Sequence, residues 1–267
     1  MTELYCTVPF MGTVTSRDGT RIAYQREGSG PPLILVDAAG HFRANSSLGE
    51  LASLLAPSFT VYRYDRRGRG DSTDTPPYAP EREVEDIAAL IAEAGAPTSL
   101  YGYSSGGLLA LHAAAAGLDV HRLALLEPPL DPDDDPTEQH AFTARLTELT
   151  GVDAVRFFLG SIGVPEQVLG AIHVTPHWDA MVSVAHTLAY DARLSEATGP
   201  SLLARVTTTT LVLDSLGSTD DLTGMAATTA ALLPAAEHLS LTGEWHGVPA
   251  QTLAPVLAGF LRRDDQR

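Results

Sequence analysis

Residues 99–101, a short apolar run, end in Gly102-Tyr103-Ser104-Ser105-Gly106 and pass straight into the alanine-rich stretch 108–116. Gly-x-Ser-x-Gly between a strand pattern and a helix pattern predicts a sharp strand–turn–helix unit with its serine at the apex. The spacing has a steric origin. A serine on so tight a turn needs neighbours without Cβ, so Gly102 and Gly106 let strand and helix close on each other. The hydroxyl then stands at the carboxyl edge of a sheet. The helix opening at Ser105 aims free N–H groups and its positive dipole end at the place where a negative oxygen would form. Ser104 is therefore the candidate nucleophile and the Ser105 amide a candidate oxyanion donor, although a glycine-rich turn before an ordinary helix would share the bare pattern.

The rest of the chain alternates in the way such a unit requires. Residues 13–16 and 21–25 read as strands around an Asp18-Gly19 turn, followed by strands at 33–36, 59–64, 121–126, 207–213 and 237–241. Helical spacing appears at 48–55, 81–94, 222–233 and 250–261. Alternating strands and helices with near-continuous apolar strands predict an α/β fold, a mostly parallel eight-stranded sheet flanked by helices. From 130 to 205 the alternation gives way to helical patterns at 138–149, 152–159, 165–172 and 180–194, opened by the acidic stretch 131–136, which reads as a solvated hinge. The expected organisation is a core of 1–129 and 206–267 with a helical cap of 130–205 inserted after the sixth strand.

Composition narrows the chemistry. The 267 residues carry a formal charge of −16, and all 17 basic residues are arginines. Acidity on this scale argues against nucleic acid and anionic membrane as partners. The absence of lysine excludes Schiff-base chemistry and a P-loop. A single cysteine, Cys6, excludes an intrachain disulfide and fits a cytoplasmic setting, as does an N-terminus without a signal-peptide pattern. No metal-ligand spacing occurs; His173 and His177 are separated by Pro176, which disturbs helical geometry between them. Asp65-Arg66-Arg67-Gly68-Arg69-Gly70-Asp71-Ser72 reads as a solvated basic loop or as a brace for the active-site rim. No pattern specifies an oligomeric state.

A serine hydroxyl needs a base within hydrogen-bond reach, itself oriented by a third group. His246, in a glycine-flanked loop after the last strand, lies on the same sheet edge as Ser104. His41 reaches that edge as a pocket-lining residue, and His112, two turns into the elbow helix, reads as core. For the orienting acid Glu127, at the end of the sixth strand, competes with Asp214 and Asp220 after the next one.

The elbow, the Asp-x-Arg-Gly-x-Gly-x-Ser run at 65–72, the helical insertion after Glu127 and Gly-x-x-His at 243–246 resemble the α/β-hydrolase superfamily over nearly the whole chain. Its capped, cofactor-free branch is the most similar. Within it, the Val36–Ala39 loop, the Gly-x-Ser-Ser-Gly elbow and Leu126-Glu127-Pro128-Pro129 are similar to small actinomycete hydrolases, some of which tailor natural products. The resemblance places the second oxyanion donor at the Ala39 amide, although Asp37-Ala38 stands where His-Gly is usual. It puts Ser218 at the usual acid position, which favours Glu127, because some members carry the acid at the end of the preceding strand. Serine at the elbow removes dehalogenase and epoxide hydrolase activities, which use aspartate. The implied activity is hydrolysis of a small-molecule ester, thioester or lactone through an acyl-enzyme, without cofactor or metal. A cyclase, lyase, acyltransferase or non-catalytic binding protein would share the scaffold. His41 and the lid residues Phe157, Phe158, Trp178, Met181 and Tyr190 are expected to line the substrate pocket.

Overall fold

The structure, a computed structural model, describes residues 9–164, 169–170 and 172–263. Strands β1 (Phe10–Thr15), β2 (Arg21–Gly28), β3 (Pro32–Val36), β4 (Thr60–Tyr64), β5 (Thr98–Tyr103), β6 (Val120–Leu126), β7 (Thr210–Ser215) and β8 (Ala236–Leu241) form one sheet in the order β1-β2-β4-β3-β5-β6-β7-β8. β2 runs antiparallel to its neighbours β1 and β4; every other pairing is parallel. The β1–β2 hairpin turns through Gly19 at φ +90°, where Asp18 Oδ1 accepts the Thr20 amide at 2.9 Å. The central strands end together, so the residues that follow β3, β5, β6 and β8 meet at one edge.

The period of two along each strand divides its apolar side chains between the two faces. Ile34, Val36, Leu100, Leu123, Leu125 and Val212 pack on one side with residues of α2 (Pro80–Ala94), α3 (Ser105–Ala115) and α9 (Asp220–Leu232). Leu33, Leu35, Tyr101, Ala124, Leu126, Leu211 and Leu213 pack on the other with α1 (Leu48–Leu55) and α10 (Ala250–Leu261). Each of these buried leucines contributes about 1.5–3 kcal/mol of transfer free energy, so the sheet centre is rigid where the site needs precision.

Between β6 and β7 the chain forms α4 (Pro136–Glu148), α5 (Gly151–Ser161), α6 (Pro176–Ser183), a 3₁₀ turn (Ala185–Thr187), α7 (Leu188–Glu196) and α8 (Pro200–Leu203). The single helix expected over 180–194 is broken at Val184, which leaves helical geometry at φ −114°, ψ 15°. There the Thr187 hydroxyl donates to the Val184 carbonyl at 2.8 Å, a local bond that competes with a continuous helix. The helix expected at 165–172 falls mostly outside the described residues. Asp135, within the stretch expected to be a solvated hinge, caps α4 by accepting the Thr137 amide at 2.8 Å. Pro176 is the first residue of α6, so His173 lies outside that helix and His177 within it. Leu146, Val155, Phe158, Trp178, Met181 and Leu188 form a third apolar cluster, which includes Ala39 of the sheet edge and packs against Trp245. Among the described residues no helix is long and apolar enough to cross a membrane.

Candidate active site

Ser104 sits between β5 and α3 at φ 54°, ψ −125°. The glycines around it are required by close approach: a Cβ on Gly102 would stand 2.5 Å from Gly107 Cα, and one on Gly106 would drive into the carbonyl oxygens of Val36 and Asp37. Among the described residues, three non-glycine residues have positive φ: Ser104, Glu127 (46°) and His246 (51°). Such backbone costs on the order of 1–3 kcal/mol per residue and persists where surrounding bonds over-determine it. They do so here. The Ser104 amide donates to Leu126 O at 2.9 Å and the Glu127 amide to Leu213 O at 2.9 Å. The His246 amide donates to Ser218 Oγ at 2.9 Å, and its carbonyl accepts from the Tyr103 hydroxyl at 2.6 Å.

These three residues form one hydrogen-bonded line. His246 Nε2 lies 2.9 Å from Ser104 Oγ, and His246 Nδ1 lies 2.6 Å from Glu127 Oε2. Glu127 is fully buried, and its second oxygen accepts the Ser215 amide at 2.8 Å. Burial alone would raise its pKa, but hydrogen bonds from His246, Ser218 and the Ser215 amide outweigh it and hold the carboxyl below its ordinary range. An ionised carboxylate fixes the tautomer with Nδ1 protonated and leaves Nε2 as the acceptor of the serine proton.

The competing acids point elsewhere. Asp214 Oδ2 lies 2.6 Å from His238 Nε2 on β8, and Asp220 opens α9 at the surface. The loop 37–41 carries Ala39 beside the elbow, and the amides of Ala39 and Ser105 donate to no acceptor among the described residues. They are the two donors the arrangement offers to a developing oxyanion.

A cavity of about 130 Å³ opens onto Ser104, Ser105, Ala39 and His246. Its apolar wall consists of Leu108, Pro129, Phe142, Phe158, Ile162, Leu222 and Trp245, and it continues outward into a wider space of about 520 Å³ that shares Phe142, Ile162, Leu222 and Trp245. Of the side chains expected to line the pocket, Phe158 is in its wall, whereas His41, Phe157, Trp178, Met181 and Tyr190 are not, Tyr190 stacking on Tyr78 with centroids 4.0 Å apart. Phe157 stacks on Phe142, with ring centroids 5.5 Å apart, and Trp178 and Met181 are buried in the helical cluster. Met181 packs against Gly40, where a Cβ would stand 2.9 Å from its Cε. His41 turns its Nδ1 to Ala39 O at 2.9 Å and its ring towards His177, 5.1 Å away. His112 is largely buried, and burial brings its pKa down to about 4.

The arginine loop is not solvated. Arg66, Arg67 and Arg69 are each 1% exposed, among the largest fully buried side chains. Arg67 pairs with Asp86 at 2.7 Å and Asp18 at 2.8 Å, while Arg66 and Arg69 share Asp191 of α7. Asp191, also in the cavity wall, was missed by sequence reasoning; its only local signal is a carboxylate among the apolar residues of its helix. Among the described residues no group of three His, Cys, Asp or Glu could hold a metal ion.

The profile of the alpha/beta hydrolase family matches residues 26–256. A solved alpha/beta hydrolase from Sphaerobacter thermophilus is 42% identical, covers 93% of this chain and 99% of its own, and superposes with a TM-score of 0.81. An enol-lactonase from Burkholderia xenovorans shares the fold at 18% identity, with 94% and 100% covered and a TM-score of 0.76. Among curated proteins, a pimeloyl-[acyl-carrier protein] methyl ester esterase of Xanthomonas campestris is 36% identical over 100 residues; the match spans 37% of each chain.

Proposed function

Because the chain belongs to the alpha/beta hydrolase family, we propose that it hydrolyses a small ester, thioester or lactone through an acyl-enzyme formed on Ser104. The observation that carries this reading is the continuous line from Ser104 through His246 to Glu127, at 2.9 and 2.6 Å, beside two amides with no internal acceptor. The Xanthomonas relative, named as a methyl ester esterase, supports ester cleavage as the reaction type.

The chemistry follows from the geometry. Ser104 Oγ attacks the substrate carbonyl as His246 Nε2 takes its proton, and the Ala39 and Ser105 amides stabilise the oxyanion, each donor being worth about 3 kcal/mol. Collapse of the tetrahedral intermediate expels the alcohol or thiol, which receives the proton from His246. A water then gives a proton to His246 and attacks the acyl carbon, and the second collapse releases the acid and restores Ser104. Glu127 stays ionised throughout and stabilises the imidazolium. The apolar wall around the nucleophile fits a short, uncharged acyl group, and the helices of 130–205 act as the lid that keeps bulk water from it.

Intact-mass measurement after fluorophosphonate treatment, paired with p-nitrophenyl butyrate turnover, tests the proposal. One adduct on the wild type, none on Ser104→Ala, and sustained turnover are expected. Folded wild type that takes no label, or an acyl adduct that water does not release, would overturn it.

A further inference from the structure

Two oxyanion donors on different segments must be aimed at one point, and a single carboxylate touches the support of both. Asp191 Oδ1 accepts from the Ser105 hydroxyl at 2.8 Å and from Arg66 Nη1 at 2.6 Å; its Oδ2 accepts from Arg69 Nη2 at 2.5 Å. Ser105 supplies one donor amide. The other is reached through Arg69, whose Nη1 donates to Ala38 O at 2.7 Å and to His41 O at 3.2 Å. The Ala38 carbonyl and the Ala39 N–H belong to one planar peptide unit. A guanidinium held on that carbonyl therefore sets the direction of the N–H and polarises it toward stronger donation. Arg66 completes the frame: it reaches Asp37 O at 3.3 Å and is held in a two-pronged pair by Glu83, 2.7 Å on each arm.

We propose that Arg69 and Asp191 are positioning residues for the oxyanion hole, with Asp191 locking the helical segment above the site to both donors. The inference rests on the proposed acyl-enzyme reading of Ser104. Asp191 and Arg69 touch no reacting atom; they act through the Ala38–Ala39 peptide and through Ser105. Burial would drive the Asp191 proton on, but the fields of Arg66 and Arg69 overcome it, so the side chain in the cavity wall remains a carboxylate matched by two guanidinia.

The test measures kcat and KM for p-nitrophenyl butyrate per titrated active site, together with the affinity of a trifluoromethyl ketone, in wild type, Arg69→Met, Arg69→Gln and Asp191→Asn. Loss of donor alignment should lower kcat about 100-fold in Arg69→Met, weaken the ketone in parallel and leave KM within about threefold, because the hole acts in the transition state. Arg69→Gln, which can still donate to Ala38 O, should recover about tenfold of that loss. If folded Arg69→Gln and Arg69→Met both keep wild-type kcat and ketone affinity per titrated site, the proposal is wrong, and the ion cluster serves stability alone. Should Asp191→Asn fail to fold, the two Arg69 variants decide. A wild type that neither titrates nor turns over overturns the catalytic reading and this inference together; a wild type that turns over, with unchanged variants, overturns this inference alone.

Discussion

Two carboxylate–imidazole pairs lie at the ends of neighbouring strands, and only one of them continues to a serine. Glu127 at the end of β6 and Asp214 in β7 are both buried, and each stands 2.6 Å from a histidine nitrogen. Glu127 is turned off its strand at φ 46°, has both oxygens satisfied, and meets a histidine whose other nitrogen reaches Ser104. Asp214 keeps its place in the β7–β8 ladder, leaves Oδ1 with no partner among the described residues, and meets His238, whose side chain is 32% exposed. A short Asp–His contact is thus no mark of catalysis. The pair that reaches Ser104 is set apart by its backbone, which departs from the strand so that one side chain can face another element.

The sharpest way to break this contrast is Glu127→Gln, which keeps the shape and removes the charge. A drop in kcat of about 10³–10⁴-fold is expected, because the amide no longer holds the Nδ1-protonated tautomer; steady-state turnover with p-nitrophenyl butyrate measures it. Ser218→Ala comes next. Ser218 accepts the His246 amide and hydrogen-bonds Glu127, so its removal should cost about tenfold in kcat, through loosened placement of an intact pair. Asp214→Asn should change kcat less than about twofold while moving the urea midpoint; a tenfold loss would show that the two pairs are coupled.

The smallest effect concerns stability alone and extends the comparison to an imidazole without a carboxylate partner. His112, in the elbow helix, is bonded to Thr198 Oγ1 at 3.0 Å. Its folded-state pKa of about 4 lies below the ordinary 6.5, so the unfolded chain binds the proton first. Its contribution is fully present above pH 6.5 and is lost as pH falls from there toward 4, about 2 kcal/mol by pH 5. Urea unfolding at pH 8 and pH 5 should show that loss in wild type and not in His112→Gln. Glu127 acts at lower pH: its folded pKa is depressed, so its contribution is present above its unfolded value of 4.5 and fades as pH falls below it.

Much of this arrangement was readable along the chain because its requirements are local. Gly102 and Gly106 encode the elbow directly, since a side chain at either would collide with backbone, and the central strands announce themselves as apolar runs bounded by turns. Ser104, Glu127 and His246 could be nominated together because each follows a strand that ends on the same edge. The pocket wall was not readable in the same way. Phe157 and Phe158 are adjacent and about 100° apart around α5, and only the rotation of that helix against α4 decides that Phe158 faces the cavity while Phe157 stacks on Phe142. The burial of Arg66 and Arg69 depends on Asp191, whose bond to Arg66 spans 125 residues and so carries no local periodicity.

Those separations give the protein a timetable. The hydrogen bond between Ser104 and His246 spans 142 residues of chain. At synthesis rates of about 5–20 residues per second, the serine leaves the ribosome on the order of ten seconds before its base, and its carboxylate partner also waits without a histidine to orient. A nascent chain therefore exposes Ser104 well before the histidine that faces it, and the hydrogen-bonded line closes only when the last strand has docked.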